Sequence, residues 1–158
     1  MVRRRVADVR QAGFSLIELI VVVAMIGILA ALATPMMISY WRTSTTTAGA
    51  SELAVTLNRA RQLAIAQNTL YCAEVSGTGV RYRFNITAAC AAGGTTWTGS
   101  ASDGAGLITL SNNITVTGGP VVFTPLGAAA LGGTFTVTNP NGGSRNVVVA
   151  ASGRVSVQ

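Results

Sequence analysis

Few groups in this chain are equipped for chemistry: it has no histidine, five acids and two cysteines in 158 residues. Glu18 stands apart by its surroundings. It follows Gly13 and a short basic leader, and it interrupts an apolar run that extends to Ala33. A carboxylate at bilayer depth costs roughly 2.5–3.5 kcal/mol on insertion scales, so an anchor alone would carry Leu or Val there. Glu18 is therefore expected to have a function. Glu52, Glu74 and Asp103 sit in no nucleophile, metal or phosphate-cradling motif. No catalysis, metal or cofactor is expected, since two thiols without histidine do not complete a zinc shell. Glu52 and Arg61 fit helix–sheet packing or subunit contacts. Cys72 and Cys90 have two readings. They form a disulfide worth roughly 3 kcal/mol in an oxidising compartment, or they are separate buried thiols.

These groups need elements to position them. The apolar stretch is about 17 residues, near 26 Å as a helix, close to a bilayer span. A helix is expected from Phe14 to about Met37, bent or loosened at Pro35, which lacks a backbone donor. Tyr40 and Trp41 suit an interfacial aromatic belt, with Arg42 at the headgroups. Residues 43–47 are poor helix formers and mark the weakest part of the helix. Beyond them Leu53, Leu57, Ala60 and Ala64 recur at helical spacing, which predicts a helix ending near Asn68. Short β-rich runs then alternate with Gly, Asn, Thr and Pro clusters. Strands are expected at 69–75, 80–86, 107–110, 114–116, 121–123, 134–138, 146–149 and 155–157. Residues 88–106 read as a loop, and 139–143 as a turn. The fold class is α+β: a long kinked N-terminal helix, transmembrane in its first half, packed on an antiparallel β-sheet domain.

All 11 basic residues are arginine, and four of them lie with Asp8 in the leader. Basic residues beside an apolar helix remain cytoplasmic, so the rest of the chain is expected outside. The seven remaining arginines against four acids make a mild bias, short of a nucleic-acid-binding composition. A secretory signal ending at Ala31-Leu32-Ala33 is disfavoured by the long leader, by Glu18 and by the length of the apolar stretch.

The run Gly13-Phe14-Ser15-Leu16-Ile17-Glu18 resembles the prepilin signal of type IV pilins and type II secretion pseudopilins. That resemblance implies cleavage after Gly13, N-methylation of Phe14, and pairing of Glu18 with a neighbouring subunit's terminal amine. The pairing makes electrostatic sense, because an unpaired carboxylate is costly in low dielectric and an ammonium compensates it. It also implies four segments: a leader at 1–13, a transmembrane and assembly helix at 14–41, a periplasmic half-helix at 42–68 and a sheet domain at 69–158. Partners would be a prepilin peptidase and methyltransferase, an inner-membrane assembly platform, the lipid bilayer and other pilins in a helical filament. The protein would be a single-pass inner-membrane protein with a periplasmic domain, later part of a periplasmic pseudopilus or surface pilus.

Ala60-Arg61, Ala64-Ile65 and Asn68, with Val122-Phe123-Thr124-Pro125-Leu126-Gly127, 145–149 and Ser152-Gly153-Arg154-Val155, resemble the FimT/GspH branch of minor pilins. The branch implies a structural subunit of a type II secretion pseudopilus or of a type IV pilus. Some members are associated with DNA uptake through a Gly-Arg-x-Arg tail. Here the tail is Gly153-Arg154-Val155-Ser156, lacking the second Arg. The alternative reading, a DNA-binding minor pilin, would gather Arg81, Arg83, Arg145 and Arg154 into one patch for phosphate contacts.

Overall fold

The computed structural model of the chain describes residues 13–87, 90, 93–111, 113–140 and 142–158. The leader arginines and Asp8 lie outside them. Two compact units are present, meeting between Ser39 and Tyr40.

One helix, α1 (Leu16–Ala66), carries the regular structure of the first unit's described residues and continues into the second. In the first unit it is apolar on every side and long enough to cross a membrane, and no residue of that apolar window is buried. Pro35 lies inside the helix, which continues on both sides of it.

In the second unit α1 becomes amphipathic. Thr46, Gly49, Ala50, Leu53, Thr56, Leu57, Ala60 and Ala64 are its buried residues, one stripe at the 3.6-residue period. Residues 43–47, expected to be the weakest stretch, are helical throughout. Their hydroxyls bond back along the helix: Thr45, Thr46 and Thr47 donate to the carbonyls of Trp41, Arg42 and Thr43 at 3.0, 2.8 and 2.9 Å. Such back-bonding satisfies the hydroxyls within the helix without strengthening it, so the support must come from packing. The burial of Thr46 supplies tertiary support. The helix ends in a Schellman arrangement. Asn68 takes φ +50°, its N–H donates to the Ile65 carbonyl, and the Thr69 N–H donates to that of Ala64.

The strands are β1 (Tyr71–Ser76), β2 (Gly79–Phe84), β3 (Thr95–Thr96), β4 (Leu107–Thr109), β5 (Thr115–Gly118), β6 (Val121–Phe123), β7 (Ala129–Leu131), β8 (Gly133–Thr138), β9 (Ser144–Val149) and β10 (Val155–Val157). All their pairings are antiparallel. The expected sheet domain is divided into two sheets. One has the order β3-β2-β1-β6-β7 with β4 also on β2, and the other the order β10-β9-β8-β5. The β1–β2 hairpin turns at Gly77, whose φ of +60° suits glycine.

Alternation along each strand sends one set of side chains to the helix. Tyr71, Ala73, Val80 and Tyr82 from the first sheet, and Val116, Phe135, Val137 and Val147 from the second, join Leu53, Leu57 and Ala60 in one core. Ile114 packs directly on Gly49, where an added Cβ would come within 2.4 Å of its Cδ1.

Candidate functional site

The N-terminal segment is laid out for access. Gly13, Phe14 and Ser15 precede the helix, Phe14 is 82% exposed, and none of the described residues approaches Gly13 within 4 Å of where a Cβ would be. Glu18 lies exposed in the first helical turn, where the helix dipole favours a negative charge.

Every other acid among the described residues has a task within the fold. Glu52 accepts from the Ser111 backbone N–H at 3.0 Å and its hydroxyl at 3.1 Å, joining α1 to the segment after β4. Asp103 accepts from the N–H groups of Ala105 and Leu107 at 2.9 and 2.7 Å, shaping the turn before β4. Glu74 holds Arg83 at 2.9 Å and Arg81 at 3.9 Å. Glu18 alone has no hydrogen bond or ion pair among the described residues.

The four arginines that the DNA-binding alternative would gather into one patch are distributed. Arg81 and Arg83 lie on β2 in the first sheet, both turned toward Glu74. Arg145 is on β9 and Arg154 just before β10, in the second sheet. The Arg154 carbonyl accepts from the Ala150 N–H, five residues along from Arg145, a separation of roughly 17 Å in strand geometry.

Arg61 shows what the late sequence motifs build. Its Nε donates to the Gly127 carbonyl at 2.7 Å. Gly127 and Gly153 have φ of +80° and +78°, and a Cβ on Gly153 would strike the Gly127 carbonyl and come within 3.1 Å of Arg61 Nε. Glycine at both positions lets the guanidinium and two loops converge. The helix, the turn after β6 and the turn before β10 are thus tied at one point. A second cluster was not anticipated. Arg59 stacks over Trp97 at 4.9 Å and donates to Ser100 at 2.8 Å, while Trp97 packs against Tyr82 with ring centroids 5.6 Å apart. The only sequence signal for it was a lone aromatic inside the expected loop.

Cys72 and Cys90 are joined in a disulfide, Cα–Cα 5.6 Å. Cys72 is fully buried on β1, on the face opposite the helix-facing Tyr71 and Ala73, so the bond pins the segment after β2 to that outer face. No group of three or more metal-ligating side chains occurs among the described residues.

Residues 49–153 match the family described as Type II transport protein GspH, and residues 9–34 match the prokaryotic N-terminal methylation motif. No curated protein matches the chain significantly. Among solved structures, the type IV minor pilin FimU of Pseudomonas aeruginosa is similar at 20% identity and TM-score 0.50, over 72% of this chain and 87% of that one. The minor pseudopilin EpsH from the Type 2 Secretion System of Vibrio cholerae is similar at 10% identity and TM-score 0.54, over 72% and 95%. At such identities the likeness is one of fold: a long N-terminal helix packed on antiparallel sheet.

Proposed function

This chain belongs to the Type II transport protein GspH family, and from that membership we propose how it acts as a filament subunit. It is a minor pilin or pseudopilin, a structural subunit in type II secretion or type IV pilus assembly. Its partners are other pilins or pseudopilins and the machinery that processes and methylates them.

In the proposed sequence of events the leader keeps its arginines in the cytoplasm, α1 enters the inner membrane, and the sheet domain stands in the periplasm. A peptidase cuts after Gly13, and Phe14 becomes the methylated amino terminus. The observation that carries the reading is Glu18: it is the one acid of the described residues without a partner among them. A carboxylate among lipid tails needs a compensating charge, and the terminal ammonium of a neighbouring copy supplies one while setting the axial register of two helices. Around it, the apolar face of α1 from Leu16 to Met37 packs with neighbouring helices.

Replacing Glu18 by Ala should leave processing and membrane insertion intact and impair incorporation, read as the amount of the subunit in sheared or isolated filaments. Normal incorporation would overturn the charge-pairing mechanism. Gly13→Val should block cleavage, giving a protein heavier by the leader in intact-mass measurement. The DNA-uptake reading has less support, because Glu74 already engages two of the four arginines and the other two, on β9 and just before β10, lie far apart in the second sheet.

A further inference from the structure

A cleft of about 200 Å³ lies beside α1 where the sheet domain begins, lined by Thr43, Thr46, Gly143, Ser144 and Arg145. We propose that it binds the phosphate of a lipid headgroup, an inference that rests on the membrane-spanning reading of α1. The height of the cleft along the helix is the first argument. Beyond the apolar run to Ala33, Met36 to Ile38 prolong the apolar surface, Tyr40 and Trp41 are exposed aromatics suited to the interface, and Thr43 to Thr46 follow Tyr40 by roughly 4–9 Å of helical rise. With Tyr40 and Trp41 as the interfacial belt, the headgroup layer, roughly 5–8 Å deep, occupies this level.

Charge is the second. Arg145 is exposed at the cleft, and no ion pair engages it among the described residues. Arg42 lies one turn before Thr46 on the same stripe of the helix, directly toward the membrane. The acids of the described residues are committed elsewhere, to Ser111, to Arg81 and Arg83, and to the turn at 103–107, with Glu18 at the helix start. The cleft is therefore cationic, and a guanidinium matches phosphate oxygens in a fixed fork.

Shape is the third. Gly143 has φ +109°, and a Cβ there would lie 3.1 Å from Thr46 Oγ1, so its glycine keeps the cleft open. Asn139 Nδ2 donates to Thr45 Oγ1 at 2.6 Å, holding the β8–β9 connection against the helix. The walls are thereby fixed before any ligand arrives.

The test is native mass spectrometry of the full chain released from detergent micelles, titrated with phosphatidylglycerol. Wild type should retain one lipid. Arg145→Gln should retain it about tenfold more weakly, the loss of one charge-assisted contact, while Arg154→Gln, just before β10, should behave as wild type. Equal losses in the two variants would reduce the effect to net charge and overturn the site. Equal retention of a neutral glycolipid would remove phosphate as the recognised group, and displacement of the lipid by millimolar inorganic phosphate would make it a free-ion site. Displacement by a short oligonucleotide would reassign Arg145 to nucleic acid. Failure of the membrane reading is separable, because it would show as a chain soluble without detergent.

Discussion

Tyr82 shows how one buried side chain couples the domain to pH. It is fully buried, and its phenol donates to the Thr56 carbonyl at 2.5 Å. Burial pushes its ionisation well above the usual 10, with the Arg59 charge opposing only in part. A pKa raised on folding means that the folded state resists losing the proton, so the associated stability is intact below about pH 10 and declines above it. Denaturant melts of the full chain in detergent should show a level stability up to that pH and a fall beyond. Tyr82→Phe should flatten the alkaline fall, at a neutral-pH loss of about 1 kcal/mol for the missing hydrogen bond. At this scale the sequence was legible where chemistry was local. The isolation of Glu18 was visible in the apolar run itself. The meeting of Arg61, Gly127 and Gly153 was not, although all three lie in segments that resemble one family, because nothing in a linear pattern says that a helix and two turns converge.

The helix–sheet seam depends on close approach at one glycine. Gly49→Val would drive its side chain into Ile114, and overpacking of this kind typically destabilises by 1–3 kcal/mol. A lowered urea midpoint with unchanged slope would match that expectation; an unchanged midpoint would mean that Ile114 moves aside freely. The disulfide offers a second measurement on an element. It spans a sequence separation of 18, so reduction should lower stability by about 3 kcal/mol, read as a fall in melting temperature with reductant. Elements with strong periodicity were readable in advance: Leu53, Leu57, Ala60 and Ala64 are all fully buried, as their spacing implied. The helical threonines at 43–47 defied their propensity because tertiary contacts, the burial of Thr46 and the bond from Asn139 to Thr45, outweigh it. β3 and β7 went unread because two threonines, or two alanines and a leucine, are too short and too small to show a period of two.

As a whole the molecule has two units with opposite needs. The second buries most of its large apolar side chains in its own core, while the first leaves Leu16, Ile17, Leu19, Ile26, Leu29 and Leu32 all more than half exposed. Such a surface requires lipid or neighbouring helices to cover it. The full chain should therefore stay in membranes through high salt and alkaline carbonate, and be released only by detergent; release by salt alone would contradict a spanning helix. The α+β class and the antiparallel pairing were legible from composition and turn signals. The division into two sheets was not, since strand order is decided by contacts between segments distant in sequence.

The bond between Cys72 and Cys90 also has a bearing on time. Disulfides form in oxidising compartments, and thiols stay reduced in the cytoplasm. With the domain delivered to the periplasm as proposed, a newly made chain carries an unclamped outer face until α1 is already seated. Maturation then has an order, membrane first and clamp second. A pulse-labelled chain trapped before translocation should carry two free thiols, whereas one recovered from a filament should carry none.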